Sequence, residues 1–340
     1  MTAKRFAIFG TGFWAQYQLA AWQELEGAEC VALYNRTKSK AQKLADRFGV
    51  AKVYDDPEEL LCNETIDFAD IITDVDSHES MVGMCAAHKL PVICQKPMAP
   101  SITACERMIQ TCAQADVSFL IHENWRWQSP IRRLSAELAT GRIGTPYRAT
   151  VVFTTSFPVF DNQPFFRTLE QFIIADIGSH IFDTVRFLLG EATSVYCKTQ
   201  RIHSDICGED VATVIFTMAN GMTVVCELSY AGTPKEFDRF PETYITVEGS
   251  LGTIELKPDY AIATTTEAGT FSQRYPPPVY KWADPAYALV HSSIVDCNRD
   301  LLAAINGHKV AATNAQDNFQ TMRLVYASYE SARISREVSV

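Results

Sequence analysis

Basic charge is what this sequence most conspicuously lacks. Thirty lysine and arginine residues stand against forty aspartate and glutamate residues, a formal net charge of −10 over 340 residues. A protein that tracks a phosphate backbone needs a basic footprint, so no nucleic-acid partner is expected. No run of about 18 apolar residues occurs, so no membrane span is expected either. The ten cysteines contain no C-x-x-C pair. Several sit in apolar runs, as Cys226 does in VVCEL, where a thiol behaves as a small hydrophobe. That usage predicts a reduced, cytoplasmic protein rather than a disulfide framework. Glycine and proline number only 16 and 15, too few for a low-complexity chain, and no internal repeat is found. The opening MTAKRFAIFGTGFW lacks a small-residue cleavage site and runs directly into a glycine loop, so a signal peptide is not expected.

What is present is the balance of an ordinary globular protein, 47% hydrophobic and 21% charged, with a length that predicts two domains. Over residues 1–124 short apolar runs alternate with helical stretches. Strands are predicted at 5–10, 28–34, 51–54, 68–73, 91–95 and 118–123. Helices are predicted at 13–26, 38–48, after Asp56-Pro57, from a Ser77 cap to Lys89, and from a Ser101 cap to Ala115. Apolar strands alternating with helices predict a doubly wound parallel sheet, a Rossmann domain. Residues 125–340 change rhythm. Strands are predicted at 147–155, 194–202, 211–218, 222–230, 243–248 and 252–256, with Asn220-Gly221 as a hairpin turn. Helices are predicted at 130–140, 176–189, 288–306 and 314–334, and an ordered loop at 258–285. This half reads as an α+β domain with a mostly antiparallel open sheet. Apolar residues on both faces of that sheet predict burial of one face between subunits, in a homodimer or homotetramer.

The first strand runs into Gly10-Thr11-Gly12-Phe13-Trp14-Ala15, a G-x-G-x-x-A loop between a strand and a helix. The first glycine permits the turn, the second admits a pyrophosphate to the backbone, and Ala15 lets the helix pack closely. The predicted ligand is a dinucleotide, NAD or NADP. The second strand ends in Asn35-Arg36 where an acid usually binds the ribose. An amide can bond a hydroxyl without repelling a phosphate, and Arg36 can stack on adenine or pair with a 2′-phosphate, a solvated basic turn being the alternative, so local charge leans towards NADP without excluding NAD.

Three further clusters follow: Gln95-Lys96-Pro97 after the fifth strand, Asn124-Trp125-Arg126-Trp127 after the sixth, and Asp176-Ile177-Gly178-Ser179-His180 running on to Asp183. With the glycine loop, these resemble the glucose–fructose oxidoreductase/inositol dehydrogenase (Gfo/Idh/MocA) family along the whole chain. The resemblance implies cofactor-binding roles for Thr73, Asp74, His78, Gln95, Lys96 and Asn124 beside Gly10, Gly12, Phe13, Trp14, Asn35 and Arg36. Departures are visible. The family's glutamate before the lysine is Gln95, its T-P-N is Thr73-Asp74-Val75, and the proline after the arginine motif is displaced to Pro130. The first bears on how Lys96 is held, the second on the loop under the nicotinamide. Asn124–Trp127 and the Phe160–Pro164 loop are similar to those of apiose-type pentose dehydrogenases, which implies oxidation of an aldose at its anomeric carbon to a lactone.

The residue types suit that chemistry. Oxidising an alcohol requires a base at the hydroxyl and a nicotinamide facing the carbon-bound hydrogen. Asp176 and His180 stand at i and i+4, on one face of a helix, and a histidine titrates near neutrality. Lys96 lies at the carboxyl end of a parallel strand, where open sheets bind ligands, and can stabilise developing negative charge. These three are the candidate catalytic residues. Arg126, Asn162 and Gln163 join them as candidate substrate ligands, a plain ordered loop being the alternative for 157–164. Trp282 and Tyr280 are placed at the site's rim or a subunit contact, and His122, His203 and His291 in ordinary packing. No metal is expected, because no second histidine lies at ligand spacing to His180. The expected activity is NAD(P)-dependent oxidation of a sugar or polyol. A NAD-assisted glycoside hydrolase and a non-catalytic NADP-binding regulator are the alternatives.

Overall fold

The computed structural model describes residues 3–232 and 240–340, with the side chain of Asn162 also outside the described set. By compactness the chain forms two units, one containing residues up to Asn124 with 281–283 and 291–320, the other containing 125–280, 284–290 and 321–340. The sequence places 281–283 and 291–320 with the second domain. They group with the first because Asn298 and Ser293 are hydrogen-bonded to His122 (3.0 Å) and Asn124 (2.7 Å).

The first unit is built on β1 (Lys4–Phe9), α1 (Ala15–Gln23), β2 (Ala28–Tyr34), α2 (Lys38–Phe48), β3 (Lys52–Tyr54), α3 (Pro57–Asn63), β4 (Phe68–Ile71), α4 (Val75–Ala87), β5 (Val92–Gln95), α5 (Ile102–Ala115) and β6 (Phe119–His122). The strands form a six-stranded parallel sheet in the order β3-β2-β1-β4-β5-β6. The order reverses between β1 and β4, and the crevice at the carboxyl ends there is where doubly wound sheets take their ligands. Four-residue strands such as FADI and VICQ are buried at every position, as expected for a sheet covered on both faces. Local chemistry sets the boundaries. Gly49 ends α2 in the left-handed conformation, Asp56 caps α3 and Ser101 caps α5. Helix α4 departs from expectation: it begins at Val75, and Ser77 lies inside its first turn, bonding the Asp74 carbonyl at 2.8 Å. Helix α1 is likewise shorter than predicted at both ends.

The second unit contains α6 (Ser129–Ala139), β7 (Pro146–Thr154), α7 (Val159–Asn162), α8 (Ser179–Leu189), β8 (Ala192–Gln200), β9 (Val211–Met218), β10 (Thr223–Ser229), β11 (Tyr244–Gly249), β12 (Gly252–Lys257), β13 (Ala261–Thr266), β14 (Gly269–Arg274) and β15 (Val338–Ser339). Helices α9 (Ala288–Ile305) and α10 (Ala315–Ile334) run through both units. The sheet has nine strands in the order β14-β13-β12-β11-β7-β10-β9-β8-β15. Every pair is antiparallel except β7 with β10. Asn220-Gly221 makes the β9–β10 hairpin, with Gly221 at φ 84°. Part of the expected 258–285 loop is instead the β13–β14 hairpin. Of its strands, AIATTT is threonine-rich and GTFSQR is exposed at every position, so they lack the alternation that signals a strand. No described helix is long and apolar enough to cross a membrane.

Candidate active site

The glycine loop follows β1 at the switch point. Gly10 has φ 101°, and an added Cβ would meet the Ile72 carbonyl oxygen at 2.5 Å and Thr73 Cγ2 at 2.9 Å. Only glycine allows this approach to the end of β4. A Cβ on Gly12 would meet nothing within 4 Å. Around this open backbone, the buried Thr11 Oγ1, Trp14 Nε1 and Thr73 Oγ1 have no hydrogen-bond partner. Buried polar atoms are rarely left unpaired, so three such atoms about one loop fit a polar ligand such as a dinucleotide. Phe13 is exposed beside them.

Asn35 serves the loop itself. Its Oδ1 accepts the Thr11 amide at 3.1 Å, and its Nδ2 donates to the Thr37 carbonyl at 3.1 Å. Arg36 stands 3.6 Å from Asp74, with both side chains almost fully exposed. His78 is buried, with Nδ1 3.2 Å from the Pro97 and Met98 carbonyls and Nε2 3.1 Å from that of Thr73. Burial lowers its pKa. The ring is thus wedged between the end of β4 and the segment after Lys96, and its one N–H in the neutral form donates to one side or the other.

The departure at Gln95 has a structural counterpart. Its Nε2 donates to Gln18 Oε1 at 2.5 Å and lies 3.1 Å from His122 Nδ1, while its Oε1 accepts the Lys96 amide at 3.3 Å. Gln18 Nε2 in turn donates to both carboxylate oxygens of Asp70 at 2.8 Å, and Trp22 Nε1 donates to Asp70 Oδ2 at 2.8 Å. The carboxylate of this network stands on β4, not at position 95. Burial pushes the Asp70 pKa up to about 7, against the pull of the Trp22 and Gln18 hydrogen bonds. Sequence reasoning missed Gln18 and Asp70, although an aspartate inside the apolar run FADII was a visible signal of a buried, partnered carboxylate. Lys96 is half-buried at the end of this chain of bonds. Asn124 is buried, its amide donating to Ser293.

In the second unit Asp176 and His180 are four residues apart, but not on a plain α-helix. Residues Ile174–Gly178 form a π-helical turn that leads into α8. Such turns widen the helix by one residue and recur at functional sites. The buried His180 ring stacks on Trp125, with centroids 4.6 Å apart and planes at 23°. Trp125 is fixed by its own Nε1, which donates to Thr243 Oγ1 at 3.0 Å. Asp176 is half-buried. Its charge, after burial, helps hold the Tyr230 phenol well above its ordinary pKa, which brings Tyr230 into the neighbourhood as a residue the sequence did not flag.

Arg126, expected to meet substrate, is engaged in a buried pair. Its Nε and Nη2 donate to the Asp183 carboxylate at 2.6 and 2.5 Å. Asp183 is fully buried and needs this cation. In the 157–164 loop, Phe160 packs on Phe172 and on His203. Gln163 is half-buried and its backbone N–H closes α7 on Val159 at 2.9 Å. The Asn162 side chain lies outside the described residues. Trp282 donates to Glu24 at 2.9 Å within the first unit. Among the described residues one set of potential metal donors comes together: Glu58 and Cys62 on α3, and His88 at the end of α4.

Comparison with known proteins accords with both units. Residues 4–122 match the family model of the GFO/IDH/MocA oxidoreductases, an NAD-binding Rossmann fold, and residues 131–255 match the C-terminal domain of the same family. D-apiose dehydrogenase of Rhizobium rhizogenes is 37% identical over 340 residues, covering 100% of this chain and 98% of the relative. D-apiose dehydrogenase of Paraburkholderia graminis is 37% identical over 341 residues, covering 100% and 91%. An oxidoreductase from Agrobacterium radiobacter, solved in complex with NAD+, L-tartaric acid and magnesium, superposes with a TM-score of 0.97. It has 37% sequence identity, and the match covers 99% of this chain and 98% of that one.

Proposed function

The chain belongs to the GFO/IDH/MocA family of NAD-binding oxidoreductases, and from that premise we propose that it oxidises an aldose, D-apiose first among the candidates, at the anomeric carbon to the lactone. The observation that carries the reading is a buried His180 stacked on Trp125 in the first turn of α8, four residues after Asp176 in the preceding π-turn, in a chain similar end to end to two D-apiose dehydrogenases. A bound nicotinamide would supply the hydride acceptor for the anomeric carbon. His180 takes the hydroxyl proton as general base. Asp176 orients the sugar or the imidazole, and the Lys96 ammonium steadies the oxygen as negative charge develops. Loss of one hydride and one proton turns the hemiacetal into the lactone, leaving NADH and H+.

Thr11, Gly12, Trp14 and Thr73 are the groups we assign to the cofactor, whether NAD or NADP. Asn35 holds the loop, and Arg36 is the residue that would recognise a 2′-phosphate. We assign the protein to the cytoplasm, a reading supported by ten cysteines that remain free thiols. We also assign a homodimer or homotetramer through the open face of the nine-stranded sheet. On β9 the residues Ala212, Val214, Phe216 and Met218 are buried while Thr213, Ile215 and Thr217 are exposed, so the open face mixes threonine with an exposed isoleucine.

The test is nicotinamide absorbance with D-apiose and an aldose panel, using NAD+ and NADP+, on wild type and His180→Ala. Net reduction by an aldose is expected, with turnover lower by about 10²–10⁴-fold in the variant. Glycoside cleavage without net reduction, or cofactor binding without turnover, would replace the reading. Undiminished turnover in folded His180→Ala would remove His180 as the base.

A further inference from the structure

A chain entering a helix leaves its first amides without intrahelical partners, and a nearby serine, threonine, asparagine or aspartate normally accepts them. The stretch Phe172-Ile173-Ile174-Ala175, which leads into Asp176, contains no polar side chain, and no side-chain cap precedes the π-turn. Its four successive amides are met from far along the chain. The Glu209 carboxylate accepts the Phe172 amide at 3.2 Å and the Ile174 amide at 3.1 Å. The Glu209 carbonyl accepts the Ile173 amide at 3.2 Å. The Tyr329 hydroxyl accepts the Ala175 amide at 3.0 Å and donates to Glu209 Oε1 at 2.8 Å. Gly208 allows the approach: a Cβ there would lie 2.7 Å from the Leu169 carbonyl oxygen and 3.0 Å from that of Glu170.

We propose that Glu209 and Tyr329 form a clamp that positions Asp176 against His180 by holding the π-turn open. The proposal rests on the reading of Asp176 and His180 as the reacting groups. A π-turn contains one residue more than an α-turn. Without the clamp the turn tightens, and losing one residue from it rotates the preceding segment by about 100° about the helix axis. The clamp thus supplies acceptors at the amino end of the π-turn, where the first amides have no intrahelical partner. On their other side Glu209 and Tyr329 line an open cleft of about 370 Å³, so small changes to either side chain do not hollow out a core.

The experiment compares Tyr329→Phe, Glu209→Ala and Glu209→Gln with Asp176→Asn and His180→Ala. Turnover is measured with NAD+ and the best aldose of a panel led by D-apiose. NADH affinity is followed by fluorescence and folding by circular dichroism. Displacement by about 1 Å is worth up to about 10²-fold, so kcat should fall about tenfold in Tyr329→Phe and about a hundredfold in Glu209→Ala, with NADH affinity unchanged. Glu209→Gln should recover most of the loss, since an amide oxygen at Oε1 keeps the bonds from Ile174 and Tyr329. In an Asp176→Asn background Tyr329→Phe should cost less than about twofold, as expected of groups acting as one unit. Wild-type kcat in folded Tyr329→Phe and Glu209→Ala, or losses that simply multiply with that of Asp176→Asn, overturns the clamp while leaving the catalytic pair intact. Wild-type kcat in Asp176→Asn and His180→Ala, or no NADH formation with any aldose, overturns the underlying reading and the clamp's role with it.

Discussion

Asp70→Asn tests the buried network behind Lys96. Asp70 is fully buried on β4, and its pKa stands at about 7 in the folded chain against an ordinary 3.8. Between about pH 4 and 7 the folded state therefore holds a proton that the unfolded state has released. A raised carboxylate contributes stability that is full below its unfolded pKa and is lost as pH rises through its folded pKa. Two sites with these constants differ in proton-binding free energy by about 2.7 kcal/mol at pH 5 and by less than about 0.1 kcal/mol at pH 8. Asp70 alone should thus make the protein about 2–3 kcal/mol less stable at pH 8 than at pH 5. Asparagine cannot titrate, so Asp70→Asn should lack that component whatever its constant cost from rearranged bonds to Gln18 and Trp22. The assay is urea unfolding at half-unit steps from pH 5 to 8, followed by tryptophan emission, since the Trp22 indole donates directly to this carboxylate. The quantity of interest is the difference between the two pH profiles. Parallel profiles would refute the argument and show that Asp70 is ionised throughout the range.

The two glycines of the loop should respond differently. Gly10→Ala places a Cβ against the Ile72 carbonyl oxygen at a φ of 101°, so thermal unfolding should show a loss of about 1–3 kcal/mol. Gly12→Ala meets no protein atom within 4 Å, so its melting temperature should hold while NADH titration shows weaker binding. Arg126→Ala strands the buried Asp183 carboxylate and should cost about 3–5 kcal/mol in stability. If a folded variant instead shows only a raised KM for sugar, Arg126 is a substrate ligand after all. Arg36→Ala should lower affinity for NADPH more than for NADH if a 2′-phosphate is recognised there. Equal effects in a titration would remove the NADP preference.

The local pattern by itself determined the Rossmann half, because its signals are short-range. Buried runs such as VICQ, the Asp56 and Ser101 caps, Gly49, and glycines spaced for one loop each specify geometry within a few residues. The same locality makes Asn220-Gly221 a hairpin. Patterns failed where the chain lacked contrast, as in the threonine-rich β13 and exposed β14. Lys96, Asp176 and His180 stand out in the sequence as candidates by residue type and spacing, but what each neighbour does was not legible. Arg126 is paired with Asp183, 57 residues away, and a bidentate guanidinium looks the same in a sequence whether it awaits a sugar or a carboxylate. Gln95 looked like a lost charge until β4 brought Asp70 to the same network through Gln18. The π-turn under Asp176 was invisible for the same reason: its amides are met by Glu209 and by Tyr329, the latter 154 positions from Ala175. Backbone hydrogen-bond needs are written locally, but tertiary packing decides which distant side chain meets them.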